Sequence, residues 1–348
     1  MPALKYELLR LKKRVPLTIS RGTSTHTEVF WLRWEEDGAE GWGEAVPFAI
    51  DEYPQTLAMV VAAFEEHRGW LERAAGVDRL RIEQQLWERR APSAFIAAVN
   101  QALYDWLGKR SHLPVSQLLG FGPGPGCVTS VTVGIGTPES AIRRVRQWLE
   151  VGEVRAFKIK LGAPAGIEAD KAMFAAVKSA VPAQARLSVD ANGGWTLAGA
   201  IEMSRWLAGH EVDHIEQPLA CGKEDDLPAL QTASPLPVLV DESCRTSEDI
   251  PKLAGRVAGI NIKLMKCGGL DGALRLVHTA RAHGLRILVG CYGNSTLGNT
   301  CALALAPLVD YLDLDSHLNL EADPFKGAVL QEGRLVSHSS PGFGISHP

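Results

Sequence analysis

Residues 186–193 read RLSVDANG, residues 213–218 read DHIEQP and residues 237–243 read PVLVDES. Each is a short strand-like run that ends in an acid and a turn. Their starts lie roughly 25 residues apart, which leaves room for one helix between strands, as a strand–helix–strand unit requires. Upstream the pattern extends to TSVTVGIG (129–136) and AFKIKLG (156–162); downstream it continues through GINIKLM (259–265), RILVGC (286–291) and YLDLDS (311–316). That makes eight runs. Between them, PESAIRRVRQWLEVG, GIEADKAMFAAVKSAV, LAGAIEMSRWLAGH and GALRLVHTARAHG are helix candidates. Eight such units close into a β/α barrel more readily than they form an open sheet. The tail after Ser316 carries no strong helix, so the eighth strand is expected to lack its helical cover, which makes this a modified β/α barrel of the (β/α)7β type.

The first 120 or so residues differ. KYELLRLKKRVPLTI (5–19) and EVFWLRWEEDGAEGWGEA (28–45) read as strands of a hairpin with EEDGAEG as its turn. PQTLAMVVAAFEEHRGWLERA (54–74) and PSAFIAAVNQALYDWLGKRSH (92–112) read as helices, and FGPGPG (121–126) suits a linker. The expected division is an N-terminal α+β capping domain over 1–124, completed by the C-terminal tail 320–348 folding back on it, and a catalytic barrel over 125–319.

At 348 residues the chain is long for one domain and comfortable for a barrel with a smaller partner. Hydrophobic residues at 46% and charged residues at 22% describe an ordinary soluble protein. A net charge of −4 with no basic run argues against a nucleic-acid partner. MPALKYELLRLKKRV has no long apolar core and is not a signal peptide, and no stretch approaches a membrane span. The six cysteines include no CxxC pair. They read as reduced, mostly buried thiols of a cytoplasmic protein, with Cys244, Cys267 and Cys291 near strand ends. The sequence is silent on oligomeric state; barrels of this size often associate, so a homo-oligomer stays open.

In β/α barrels the active site stands at the carboxyl ends of the strands. There this chain places Lys158 and Lys160, Asp190 and Asn192, Glu216, Asp241 and Glu242, Lys263, and Asp313 and Asp315. Charges in such apolar runs are costly to bury unless paired or metal-bound. Asp190, Glu216 and Asp241 sit on three consecutive strands about 4.8 Å apart, so their carboxylates can converge on one ion. Oxygen-only ligands, few in number, suit magnesium. Rim salt bridges with the neighbouring lysines are the plain alternative. Lys158 and Lys160 share a strand face, and crowding with burial is expected to lower a lysine pKa from about 10.4 toward neutrality. Lys263 stands across the mouth, where a second base can meet the opposite side of a substrate carbon. A cation on the oxygens of a carboxylate stabilises the ene-diolate formed when the neighbouring carbon loses its proton.

The ordered set RVPLT, GWGEAVP, KIK, VDAN, IEQP, VDES, NIKLMKCGG and LDLDSHL resembles the enolase superfamily, in the branch related to muconate lactonizing enzymes, and within it the dipeptide epimerases. The resemblance runs over essentially the whole chain. It implies that Asp190, Glu216 and Asp241 bind Mg2+, that Lys160 and Lys263 are the paired acid/base residues, and that Lys158 is an electrostatic helper. Lys266 is expected to be a loop charge. Asp313 and Asp315 resemble the DxD pair that holds the substrate's α-ammonium group; two carboxylates on one strand face favour a cation in any case. The implied activity is inversion of the α-carbon of the C-terminal residue of an L-Xaa-L/D-Xaa dipeptide by two-base 1,1-proton transfer. The alternatives are an N-succinylamino acid racemase or o-succinylbenzoate synthase of the same superfamily and, from another class, a non-catalytic ligand-binding barrel.

Substrate choice departs from the Glu-specific pattern, in which an arginine follows an Arg-Gly pair. Here Arg21-Gly22 is followed by Thr23, and Ser24 stands at that position. Asp51 and Glu52 could favour a basic side chain or be solvated loop charges. Tyr292, with Phe48, Tyr53 and Leu297, leaves a hydrophobic dipeptide open.

Overall fold

The structure, a computed structural model, describes residues 1–50, 53–122, 124 and 126–347. Three antiparallel strands open the chain: β1 (Ala3–Ile19), β2 (Gly22–Glu36) and β3 (Ala39–Ala45), in the order β1-β2-β3. EVFWLRWEEDGAEGWGEA is therefore a hairpin by itself, and the preceding run adds a third strand. Its turn is only Asp37-Gly38, both at positive φ (51° and 76°), which matches the twist of the flanking strands.

The two expected N-terminal helices are Leu57–Leu71 and Ser93–Arg110. A third, Arg79–Glu88, was not foreseen; it buries only Ile82, Glu83 and Leu86, too narrow a stripe to stand out in RLRIEQQLWE. The helix Ser93–Arg110 lies almost on the backbone of β3. A Cβ at Gly41 or Gly43 would sit 2.0 Å and 1.9 Å from the carbonyl oxygens of Ala102 and Ala98.

All eight barrel runs contain strands: β4 (Val131–Val133), β5 (Ala156–Lys160), β6 (Arg186–Asp190), β7 (Val212–Glu216), β8 (Val238–Val240), β9 (Gly259–Ile262), β10 (Arg286–Gly290) and β11 (Tyr311–Asp313). They pair in parallel, each with its neighbour in sequence. Between β4 and β11 the ladder is reduced to a bridge, Thr129 to Leu312, where the Ser130 N–H donates to the Leu312 carbonyl at 2.9 Å. Every crossover contains helix, whereas among the described residues the 3-10 turn Ser316–Asn319 is the only helical element after β11, as the (β/α)7β reading requires.

The antiparallel sheet is tied to the barrel through Glu44, which is fully buried. It accepts from the Trp31 indole at 2.9 Å, the Asn294 amide at 2.8 Å and the Ser295 backbone at 3.1 Å, and also from the Ser295 hydroxyl. Ser295 caps the helix Thr296–Leu303, so the acid of GWGEA anchors the segment that follows β10. The tail meets the N-terminal elements too: the Phe343 N–H donates to Asp105 at 3.0 Å, and the His347 ring stacks on Trp42. Among the described residues no disulfide joins the cysteines, and no helix is long and apolar enough to cross a membrane. Burial pushes the thiols of Cys244, Cys267 and Cys291 up to about 12, which disfavours their thiolate forms.

Candidate active site

The order of the strands fixes the layout. Asp190 and Glu216 end β6 and β7 and are partners in register, and Asp241 follows β8 directly. Lys160 ends β5, opposite Asp190 in register, and Lys263 follows β9. The acids thus fill one arc of the barrel with a lysine at each end. β5 and β9 are four strands apart in a ring of eight, so their lysines face each other across the mouth. β11, with Asp313 and then Asp315, stands opposite the middle of the acidic arc.

All these side chains are buried, with at most 9% exposure for Lys160 and 8% for Lys263. Asp190, Glu216, Asp241 and Asp313 are each turned to a lysine. Lys160 donates to Asp190 at 2.5 Å, Lys158 to Glu216 and to Asp313 at 2.5 Å each, and Lys263 to Asp241 at 2.7 Å. Lys266 is a correction. It is no loop charge: it is 3% exposed and donates to the other Asp241 oxygen at 2.6 Å. The short helix Leu264–Cys267 folds it back under the strand end, a turn that spacing alone did not reveal.

For Lys158 the expected lowering is not found. Burial alone would lower the Lys158 and Lys263 ammonium groups, but Asp313 and Glu216 beside the first, and Asp241 beside the second, hold both raised. The crowding neighbours are acids rather than the other lysine. Conversely, burial would raise Asp241, yet Lys263 and Lys266 drive it well below the usual carboxylate range.

Asp313 accepts from the Ser130 hydroxyl at 2.6 Å, and Asp315 from the Thr132 backbone at 2.7 Å. Both acids line a cavity of about 190 Å3 with Lys160, Tyr292, Lys13 and Arg144. Burial, and then the charge of Asp313, raise the Asp315 carboxyl to about 6. Tyr292 lies against Lys263, whose Nζ is 4.3 Å from the ring centroid, and stacks on Phe48 at 4.9 Å. Ser24 is exposed on β2 and does not line the cavity; its hydroxyl accepts from Lys13, which does. Asp51 and Glu52 lie outside the described residues.

Two supporting contacts were not anticipated. The Asn261 amide donates to Glu216 at 2.7 Å; Asn261 lies two residues before Lys263, on the same strand face. Arg21 reaches from the β1–β2 turn to Glu242 at 2.8 Å and to the Asn192 carbonyl at 2.9 Å. It was read only as part of an Arg-Gly pair.

In this arrangement, among the described residues, no three His, Cys, Asp or Glu side chains are gathered closely enough to hold an ion. Their chemistry nevertheless suits one. Glu216 is raised by burial and then by the charge of Asp190, with Asp241 contributing, so the three acids share one field. Asn192 Oδ1, Asn261 Oδ1 and Glu242 Oε2 are buried acceptors with no donor. A hard cation is what such an oxygen-rich arc, with acceptors left over after its lysines have donated, can take up.

Comparison with known proteins identifies the family. Residues 6–120 match the mandelate racemase/muconate lactonizing enzyme N-terminal domain family, and residues 140–347 match the enolase C-terminal domain-like family. Two proteins named hydrophobic dipeptide epimerase are each 44% identical to the chain. One from a Flavobacteria bacterium aligns over 97% of this chain and 96% of its own length, and one from Roseobacter litoralis over 99% of both. The structure of a dipeptide epimerase from Enterococcus faecalis, complexed with Mg and L-Leu-L-Tyr, is 30% identical, with TM-score 0.92 and 99% of each chain covered.

Proposed function

The chain belongs to the mandelate racemase/muconate lactonizing enzyme family of the enolase superfamily, and from that premise we propose that it is a dipeptide epimerase, a magnesium-dependent isomerase that inverts the α-carbon of the C-terminal residue. The observation that carries this reading is the four-cornered mouth: acids on β6 to β8, Asp313 and Asp315 opposite them, and one lysine on each side between. A zwitterionic dipeptide matches it end for end. Its carboxylate faces the acidic arc through a cation, its ammonium faces β11, and its α-carbon falls between Lys160 and Lys263.

Asp190, Glu216 and Asp241 would hold Mg2+, which when bound neutralises the charge that builds on the substrate carboxylate as the α-proton leaves. Lys160 and Lys263 move the proton. One starts as the free amine and takes it from one face, while the other starts as ammonium and gives its own to the opposite face. Lys158, held between Glu216 and Asp313, keeps a fixed positive charge beside the site. Asp313 is already neutralised by Lys158, which leaves Asp315 as the carboxylate with charge to spare for the substrate's ammonium.

For side chains, the reading takes a hydrophobic dipeptide: the 44%-identical relatives are named for one, Ser24 supplies no cation of its own, and Phe48 and Tyr292 supply an apolar wall. Residues 1–124 with 320–348 are taken as the capping unit and 125–319 as the catalytic barrel. The enzyme is taken as cytoplasmic, acting on a small molecule without nucleic acid or membrane; the net charge of −4 argues against a nucleic-acid partner.

The test is deuterium uptake at the α-carbon of L-Ala-L-Phe in heavy water with Mg2+, beside N-succinyl-L-phenylalanine. Uptake into the dipeptide, with net inversion abolished in both Lys160→Ala and Lys263→Ala, supports the epimerase. Uptake into the succinyl compound alone would favour the racemase alternative. Ligand binding with no uptake in either would favour a binding protein.

A further inference from the structure

We infer that Tyr292 is a positioning residue for Lys263, acting through the face of its ring on one of the two proton transfers and leaving the other alone. The inference rests on the epimerase reading and deepens it.

The ammonium of Lys263 has two kinds of neighbour. One is Asp241, at 2.7 Å. The other is the Tyr292 ring, whose centroid lies 4.3 Å from Nζ, well inside the distance at which a cation is drawn to an aromatic face. Asp241 is among the acids assigned to the ion, and a carboxylate that serves a divalent cation has less to offer a lysine. The ring then remains as the neighbour that fixes where the amine sits.

The ring is itself well placed to do this. It stacks on Phe48, with centroids 4.9 Å apart and planes within 1° of parallel, and the Tyr292 N–H donates to Asn294 at 3.0 Å. Its hydroxyl, by contrast, is buried without a hydrogen-bond partner. The contacts of this residue are therefore those of a ring, and a phenylalanine would supply them equally. Among the described residues no aromatic face stands over Lys160 in the same way. The support is one-sided.

One-sided support has a stereochemical consequence. In the epimer whose α-hydrogen faces Lys263, the free amine takes the proton and becomes ammonium, and the C–H electron pair moves into the carboxylate. The pair returns to carbon when Lys160, starting as ammonium, gives its proton to the opposite face and becomes the amine. In the other epimer the two lysines exchange roles. In heavy water a lysine that removes a proton can return a deuteron to the same face, so exchange from each epimer reports mainly on the lysine that faces it.

The experiment follows α-hydrogen exchange of L-Ala-L-Phe and L-Ala-D-Phe separately by NMR, in heavy water with Mg2+. It compares the wild type with Lys263→Ala, Tyr292→Leu, Tyr292→Met and Tyr292→Phe. The aliphatic variants are expected to shift the ratio of the two exchange rates by about tenfold or more against the epimer that Lys263→Ala silences. Tyr292→Phe, whatever it does to the overall rate, should keep the ratio of the two exchange rates within about twofold of wild type. Equal loss from both epimers, no loss from either, or a Phe variant whose ratio shifts as far as that of the Leu variant overturns the inference while the epimerase reading stands. A wild type that exchanges neither epimer overturns both.

Discussion

Glu216 is held on both of its oxygens, by Lys158 at 2.5 Å and by Asn261 at 2.7 Å. Groups behind a metal ligand set its orientation, and losing one commonly costs ten- to a hundredfold in metal affinity. Asn261→Ala is therefore expected to raise the Mg2+ concentration for half-maximal rate by about that factor, with little change in the rate at saturation; a magnesium titration checks it. Asp315 makes a pH prediction. Its folded value of about 6 lies above the usual 3.8, so any stability it contributes is present at low pH and is lost as pH rises through 6. Binding runs the other way, because the ammonium of a dipeptide needs the ionised acid. KM should rise as pH falls from 7 to 5, by up to about tenfold per unit below 6. Asp315→Asn should have a high KM that is nearly flat over that range, so parallel KM profiles of the two proteins would count against the assignment. The residues that could be read in advance were those that break a strand's apolar run, as Lys160, Asp190 and Glu216 do. Asn261 was readable by the same period of two but, being uncharged, did not stand out. Lys266 was not readable, since its reach to Asp241 depends on a four-residue helical turn.

The barrel strands were legible because parallel strands covered on both faces must be apolar throughout, with charge only at their tips. Their ends were less so: β4, β8 and β11 are three residues each, the remainder of each run being loop that carries side chains such as Asp241 and Asp315 to the mouth. In the N-terminal elements the glycines of GWGEA were visible, yet their purpose was not, because it depends on a helix fifty residues away. Gly41 and Gly43 are two apart and so face the same way, onto Ser93–Arg110. With the Ala98 carbonyl 1.9 Å from where a Cβ would stand, backbone rather than a yielding side chain must shift. Gly43→Ala is expected to cost about 1–3 kcal/mol, in the range of overpacked cores. Denaturant unfolding measures it, and a midpoint equal to wild type would show that the helix can move aside. Because Glu44 follows directly and anchors the helix after β10, activity should fall along with stability.

The site belongs to neither sheet alone. Arg21 comes from the β1–β2 turn and Phe48 from beyond β3, the lysines and acids come from the barrel, and the end of the chain returns to close the assembly. His317 stands where that return begins. It is 6% exposed, just after β11; its Nδ1 accepts from the Asn299 amide at 2.8 Å and its Nε2 donates to the Ala328 carbonyl at 3.0 Å. Those partners fit the neutral ring. A second proton would place an N–H against the Asn299 donor, in a site where burial already opposes charge, and the ring is lowered to about 4. An unfolded histidine titrates near 6.5. The depressed folded value means that the stability is fully present above 6.5 and is lost as pH falls toward 4, since in that window the unfolded chain binds a proton the folded one refuses. Integrated over the interval this is about 3 kcal/mol from one ring. The buried carboxylates add their own dependence in the same acidic range, so the test is a difference. Unfolding free energies of wild type and His317→Asn, measured from pH 7 to 4, should converge as pH falls, the variant lacking one proton's worth of slope. Curves that stay parallel would mean that the ring accepts its charge in place, and that the tail does not depend on its neutrality.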